Sequence, residues 1–269
     1  MRYLCIIILL ALGSAACEPQ VATPPPVLTP AEQAEREEAL ALAEDAGRDL
    51  MNQAFARLAT RPHIVREELV QLDAEGRETA ARRRIMRAEP DTVETVASEA
   101  RGTFDFGAFG RFVSFEDMDH LPANPVPFIV PEDPTYLSPQ GREVYHFALA
   151  ADTLLGAARV RIVTVTARPN EGDNQALRSA RLYVDPASGD LVGIRVHRHS
   201  QNILFGETSV LHLMLTPGPE GNWLPAETRY TVAVRAALTA TRRFRLQRAY
   251  EPAPLAPITW HRPTGAPAP

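Results

Sequence analysis

The stretch RLYVDPASGDLVGIRVHRHS, residues 181–200, decides the fold class of this chain because it encodes two strands joined by a tight turn. Pro186 fixes φ at the first turn residue, and Gly189 is free to adopt a positive φ. After the turn, Val192 and Ile194 alternate with other positions at the two-residue period of a strand that has one apolar face. A connection this short forces the two strands to be antiparallel.

The same alternation extends outward from this hairpin over most of the chain. Strand patterns bounded by turn residues recur through residues 63–251, without the strand–helix–strand order of a parallel sheet. The sequence therefore predicts about ten strands in an antiparallel meander. The predicted strands are His63–Asp73, Arg77–Glu89, Thr92–Gly102, Arg142–Asp152, Arg159–Arg168, Leu177–Asp185, Leu191–Ser200, Thr208–Thr216, Trp223–Arg235 and Leu238–Glu251.

One helix of roughly 28 residues is predicted before the first strand. Thr29 is placed to cap its N-terminus, Pro30 suits the first helical position, and the pattern ends before Pro62. Its apolar stripe consists of Ala39, Leu40, Ala43, Ala46, Leu50, Ala54 and Leu58. The predicted fold class is mainly β with an N-terminal helix: a strongly curved antiparallel sheet or unclosed β-barrel, with the helix packed on the concave face.

The predicted strands separate apolar from polar residues, which gives the sheet one apolar face and one wet face. Because a single helix is narrow cover for so wide a sheet, part of the apolar concavity is predicted to remain for a ligand. The candidate lining residues are Tyr145, Phe147, Leu149, Tyr230 and Phe244. The alternative filler is the Phe-rich segment 104–130, whose aromatic side chains are either ordinary core or part of the cavity lining.

Residues 1–16 have the pattern of an export signal, with Arg2 ahead of a short apolar run and small residues at its end. Cys17 follows directly, and this arrangement resembles the bacterial lipobox, whose cysteine is lipidated and becomes the first residue of the mature protein. Because Cys5 lies inside the removed signal, the mature chain retains Cys17 alone and forms no intramolecular disulfide. The alternative is ordinary cleavage after Ala15 or Ala16, which leaves a soluble exported protein with a free thiol.

The chain accordingly divides into four parts. Residues 1–16 are the predicted signal peptide, and residues 17–30 are the predicted lipidated cysteine with a Pro-rich, extended tether. Residues 31–251 form the predicted unclosed β-barrel domain, and residues 252–269 a Pro-rich C-terminal tail.

Composition and motifs narrow the function further. The net charge of −5 argues against nucleic acid as a partner. His197 and His199 share the wet side of one strand, where a solvated pair is predicted rather than a metal site, and His120 beside EDMD at 116–119 is interpreted as a polar loop. No hydrolase elbow, zinc-protease, P-loop or dinucleotide motif is present. We therefore predict no enzymatic activity, no cofactor and no metal.

The order of these elements resembles the Lol-type superfamily of periplasmic lipoprotein carriers and outer-membrane lipoprotein receptors. The resemblance is carried by the hairpin RLYVDPASGDLV at 181–192 and by WLPAE at 223–227, and it covers roughly residues 31–250. It implies an early helix, an unclosed antiparallel barrel and a hydrophobic cavity for acyl chains. Glu18 after the cysteine resembles outer-membrane sorting signals, which implies an anchor in the outer membrane facing the periplasm.

Two functions remain open at this stage. In the first, an envelope lipoprotein binds lipid or lipoprotein acyl chains in its half-barrel, for transport or sorting. In the second, the interior is filled by the protein's own side chains, and the chain is a non-catalytic structural or interaction lipoprotein of the outer membrane. The expected partners are a hydrophobic ligand, the membrane through the lipid anchor, and other envelope proteins.

Overall fold

The structure is a computed structural model, and it describes residues 27–47, 49–106, 134–156, 158–169, 172, 174–202, 204–236 and 239–253. The helices are α1 (Pro30–Gly47), α2 (Asp49–Ala59) and α3 (Pro139–Val144). The strands are β1 (His63–Leu72), β2 (Glu78–Glu89), β3 (Thr92–Arg101), β4 (Tyr145–Leu155), β5 (Ala158–Ala167), β6 (Leu177–Val184), β7 (Leu191–Gln201), β8 (Phe205–Pro217), β9 (Trp223–Ala236) and β10 (Arg242–Pro252).

All ten strands belong to one antiparallel, unclosed sheet with the N-terminal helices packed against its concave face, as the sequence predicts. The strand order is β3-β2-β1-β10-β9-β8-β7-β6-β5-β4. The sheet therefore departs from a simple meander, because the first three strands attach to the last one. β3 and β4 follow each other among the described strands but form the two edges of the sheet that these strands make.

The hairpin that decides the fold class has the predicted geometry. Gly189 adopts φ +75°, and the amide of Asp185 donates to the carbonyl of Asp190 over 2.8 Å. The Asp185 side chain also accepts from the amide of Ala187 at 2.8 Å, which holds the turn after the proline.

The predicted single helix is confirmed: α1 and α2 together span residues 30–59, and residue 48 between them lies outside the described residues. Thr29 caps α1 as predicted: its hydroxyl accepts from the amide of Glu32 at 3.3 Å, and the Glu32 carboxylate accepts from the amide of Thr29 at 2.8 Å. α1 ends at Gly47, whose buried backbone lies against Leu137 and Leu182.

Several strand boundaries also differ from prediction, two of them at the start of a strand as follows. Residues 142–144 belong to α3 rather than to a strand, because Ser138 caps this short helix by accepting from the amide of Gly141 at 3.0 Å. The last strand begins at Arg242 instead of Leu238. Within the described residues, no helix combines the length and the apolar character needed to cross a membrane.

Candidate functional site

The larger of two apolar clusters, here named the main core, lies beneath α1 and includes the predicted lining residues on β4. Tyr145 and Phe147 are fully buried, and Leu149 is half-buried at the margin of the same cluster. The Tyr145 hydroxyl donates to the carbonyl of Leu177 over 3.1 Å, and burial raises the pKa of Tyr145 to about 12. These side chains pack with residues of α1 and the central strands, so this part of the interior is occupied by the protein itself.

The other two predicted lining residues mark a separate apolar area, here named the second cluster. Its buried residues are Leu69, Phe244 and Leu246, on β1 and β10. The half-buried residues packed against it are Phe104, Phe106, Tyr230, Val232 and Val234. Among the described residues, the side chains that lie over this part of the sheet are Phe104 and Phe106, in the segment after β3, and none of the cluster's residues belongs to a helix. Tyr230 contacts both the main core and the second cluster.

Phe104 and Phe106 form an aromatic cover over the second cluster. The Phe106 ring stacks on Phe244 with 5.5 Å between centroids, and Phe104 stacks on Phe106 at 5.7 Å. These two rings pack on the inner sheet face, a position that fits both alternatives for the Phe-rich segment, ordinary core and cavity lining. Phe109, Phe112, Phe115 and Phe128, the other phenylalanines of that segment, lie outside the described residues.

The cover is fixed to the sheet through its backbone. The Gln71 side chain donates to the carbonyl of Asp105 at 3.0 Å and accepts from the amide of Asp105 at 2.7 Å. Arg242 forms an ion pair with the Asp105 carboxylate at 2.7 Å. The aromatic rings on either side of Asp105 are thereby held over β10.

On β2, β1 and β10, a buried ion network lies between the second cluster and the main core. Glu67 accepts from Arg84 at 2.7 Å through one carboxylate oxygen and from Arg248 at 2.8 Å through the other. These residues are paired across β2, β1 and β10, so all three point to the inner face. On β1 the carboxylate lies between Val65 of the main core and Leu69 of the second cluster. The network therefore forms a polar row across part of the concavity.

The electrostatic balance at Glu67 favours the ionised carboxylate. Desolvation is the largest influence and alone would raise the pKa, but the combined attraction and hydrogen bonds of Arg248 and Arg84 outweigh it. The net pKa of Glu67 is lowered from its usual value. The carboxylate thus stays charged at neutral pH although its side chain is almost fully buried.

His63 is a second buried polar group on this face. It is 1% exposed, and its Nδ1 lies 2.8 Å from the carbonyl of Arg61, whereas its buried Nε2 has no hydrogen-bond partner among the described residues. Burial lowers the pKa of His63, and the hydrogen bond to Arg61 opposes that effect only in part. The ring is therefore neutral in the folded protein near neutral pH.

Acidification is expected to destabilise the protein through His63. Because its folded pKa lies below the unfolded value, the unfolded chain binds more protons as the pH falls from about 7 to about 5. The free energy of unfolding should decrease over this range, and His63→Phe should reduce the decrease. The measurement is urea unfolding at both pH values, with His212→Asn in both proteins because the pKa of His212 is also lowered. Equal decreases with and without His63 would contradict the prediction.

The remaining predicted sites are placed as follows. His197 and His199 lie on the outer face of β7, and His199 Nδ1 lies 2.8 Å from the hydroxyl of Thr208. Among the described residues, no group of three or more His, Cys, Asp or Glu side chains is arranged to hold a metal ion. Cys17 and the cluster around His120 lie outside the described residues.

The ion network is the main feature of the site that the sequence analysis missed. The signal was present as period-two alternation, since Arg248 falls between Leu246 and Tyr250 on the inward side of β10. On β1, Glu67 alternates in the same way with Val65 and Leu69. The alternation places these charges inside, but it does not show that they meet.

Comparison with known proteins gives structural neighbours only. No protein-family model and no curated protein matches this sequence. A solved outer membrane lipoprotein-sorting protein domain from Vibrio parahaemolyticus is similar over 80% of this chain and 92% of its own, with 11% identity and a TM-score of 0.32. A DUF1329 family protein from Desulfovibrio piger is similar over 81% of this chain and 91% of its own, with 9% identity and a TM-score of 0.29.

At these identities and TM-scores, no residue role in either protein transfers to this chain.

Proposed function

We propose that this chain is a membrane-anchored envelope lipoprotein that binds a hydrophobic ligand, a lipid or the acyl chains of a lipoprotein, in its half-barrel. Binding serves transport or sorting within the envelope, and no covalent chemistry is involved. The anchor is Cys17, and the location is the outer membrane facing the periplasm. Lipoprotein sorting is also the role named for the Vibrio parahaemolyticus domain.

The second cluster is the observation that carries this proposal. Tyr230, Val232 and Val234 are only half-buried on the inner face, and among the described residues the rings that lie over this cluster are the stacked Phe104 and Phe106. Displacing two rings requires less rearrangement than displacing a helix. An apolar ligand that enters beneath Phe104 and Phe106 would gain the contacts of Phe244 and Leu246 and bury more of the valine side chains.

The predicted site residues therefore have unequal roles in the proposal. Tyr230 and Phe244 line the proposed site directly. Tyr145, Phe147 and Leu149 would reach a ligand only if it extended past the ion network to the region beneath α1. We assign the ligand to the second cluster. The three β4 residues belong to the main core and are not assigned a direct contact with the ligand.

Val232→Glu is expected to weaken ligand binding by about tenfold or more, equivalent to about 1.4 kcal/mol, because it introduces a charge into the apolar site. The measurement is titration of a fluorescent fatty acid into the chain from residue 17 onward carrying Cys17→Ser. Val232 is half-buried, so this change disturbs folding less than a substitution at the fully buried Phe147 would.

Thr231→Glu is the matched control, since Thr231 is the preceding residue of the same strand and is exposed on the outer face. It should bind the fatty acid as the unsubstituted chain does. Absence of saturable binding in the unsubstituted chain, or equal weakening by both substitutions, would contradict the ligand site.

A structural or interaction lipoprotein is the second candidate, and the main core favours it. Tyr145, Phe147, Leu182 and Leu211 are each at most 1% exposed beneath the helices, so this region is filled by the protein's own side chains. If the titration shows no saturable binding, this candidate replaces the ligand-binding function.

A further inference from the structure

The outer face of the sheet carries a row of basic residues across four neighbouring strands. Cross-strand partners share a face, and Arg181 on β6 pairs with Arg195 on β7, which pairs with His212 on β8, which pairs with Arg229 on β9. With about 4.8 Å between strands, the row spans roughly 14 Å. Arg181, Arg195 and Arg229 are exposed, so their guanidinium groups face solvent.

The surroundings of this row are also basic. The described acids that point outward on β6–β10 are Glu227, which pairs with Arg229 at 2.6 Å, and Glu251 near the end of β10, which pairs with Arg66 at 3.0 Å. No ion pair joins Arg181 or Arg195 to an acid in the described part of the chain. The outward arginines of these strands are Arg181, Arg195, Arg229, Arg235, Arg243 and Arg245.

This arrangement has no evident value for folding. Like charges placed directly opposite each other on neighbouring strands destabilise a sheet, and Arg181 and Arg195 are such a pair. Burial, followed by the charges of Arg195 and Arg229, lowers the pKa of His212 between them. The positive charge of the row at neutral pH therefore comes from its arginines, which keep their charge at any physiological pH.

The acidic residues of the chain are concentrated elsewhere. α1, on the opposite side of the sheet, exposes Glu32, Glu35, Glu37 and Glu38. The outer face of β6–β9 is thus basic and the exposed side of α1 is acidic, although the net charge of the chain is −5. A chain polarised in this way is oriented by a charged surface, even when its net charge has the same sign as that surface.

The predicted tether brings a charged surface within reach. Residues 17–29 precede α1, and an extended Pro-rich segment of this length spans about 40 Å at 3.1 Å per residue. A helix layer on a sheet is roughly 20 Å thick, from spacings of about 10 Å per layer. The tether is therefore long enough for the domain to turn its outer face toward the bilayer that holds its anchor.

We propose that the outer face centred on Arg181, Arg195 and Arg229 docks on an anionic lipid surface and orients the domain on its membrane. The ligand opening on the inner face then points away from that bilayer, toward the aqueous space from which a cargo arrives. This inference goes beyond the proposed ligand binding, and docking does not require that the interior bind anything.

The test is co-sedimentation of the unacylated chain, from residue 17 onward with Cys17→Ser, with lipid vesicles at low salt. Binding is expected to vesicles that contain phosphatidylglycerol and not to pure phosphatidylcholine vesicles, and it should decline as salt is added. Each arginine near an anionic surface contributes about fivefold, so Arg181→Gln with Arg195→Gln should weaken binding by about 30-fold.

Arg66→Gln with Arg83→Gln is the matched control, because it removes the same charge from exposed positions on β1 and β2 that are paired with Glu251 and Glu68. It should bind vesicles nearly as well as the unsubstituted chain. Equal loss in both double variants, or equal binding to both kinds of vesicle, would overturn the proposal. Binding to soluble polyglutamate without binding to phosphatidylglycerol would also overturn it and indicate an acidic protein partner instead.

Discussion

Glu67→Ala is expected to lower the free energy of unfolding by about 3–5 kcal/mol, the range measured when one partner of a buried ion pair is removed. The Glu67 side chain is 1% exposed, and its two oxygens accept from guanidinium groups on two different strands. Without the carboxylate, the charges of Arg84 and Arg248 lose the opposite charge that lies between them. The measurement is chemical unfolding followed by tryptophan fluorescence or circular dichroism at neutral pH.

Glu68→Ala provides a matched control at the next residue of the same strand. Glu68 pairs with Arg83 at 2.8 Å on the outer face, where the Arg83 side chain is 62% exposed. An exposed pair of this kind contributes about 0–1 kcal/mol, so the control should be only slightly destabilised. If the two alanine variants had equal free energies of unfolding, the prediction that the buried ion network stabilises the fold would be wrong.

The pH dependence of the difference provides a second readout for Glu67. Because its folded pKa is lowered, its contribution is fully present above the unfolded value of 4.5 and is lost as the pH falls through the folded pKa. The difference between the wild-type and Glu67→Ala proteins should therefore shrink in acid. If the difference in free energy of unfolding between the two proteins stays constant as the pH falls below 4.5, the effect of the substitution comes from lost packing rather than from lost charge.

Cys17→Ser is expected to move the protein from the membrane fraction to the soluble fraction. Acyl chains on the cysteine contribute about 0.8 kcal/mol for each buried CH₂ group, so their loss removes most of the membrane affinity. The measurement is fractionation after a high-salt wash, which also removes any binding through the basic outer face. Intact-mass analysis should show an acylated chain that begins at residue 17.

Cys5→Ser is the matched control, since this cysteine lies within the predicted signal and is removed with it. It should leave the protein in the salt-washed membrane fraction. An unmodified wild-type protein found in the soluble fraction together with Cys17→Ser would eliminate the anchor and leave the alternative of ordinary signal cleavage.

The local elements of the fold were predictable from the sequence because each is specified by residues close together in the chain. Pro186 and Gly189 define the central turn, and alternation from Leu191 onward places Ile194 and Val196 in the core. Thr29 and Glu32 likewise define the start of α1 through their reciprocal capping bonds. Turn chemistry, capping and a two-residue period therefore predicted ten antiparallel strands and an N-terminal helix.

The division of the candidate site could not be predicted in this way. Tyr145 and Phe244 both carry the pattern of an apolar inner face, yet one lies in the main core and the other in the second cluster. Alternation identifies the face of a strand but contains no information about which helix or loop covers it. The choice between a packed core and a ligand site is made by elements distant in the chain.

The sequence by itself determined which segments are strands, which residues face inward, and where the chain turns. The tertiary structure alone decided that β1 pairs with β10, which brings Glu67 to Arg248 across 181 positions of the chain and makes β3 and β4 the sheet edges. The physical reason is that backbone hydrogen bonds between strands are nearly the same for every pair of sequences. The choice of partner therefore follows from how the whole set of side chains buries its apolar area and pairs its buried charges.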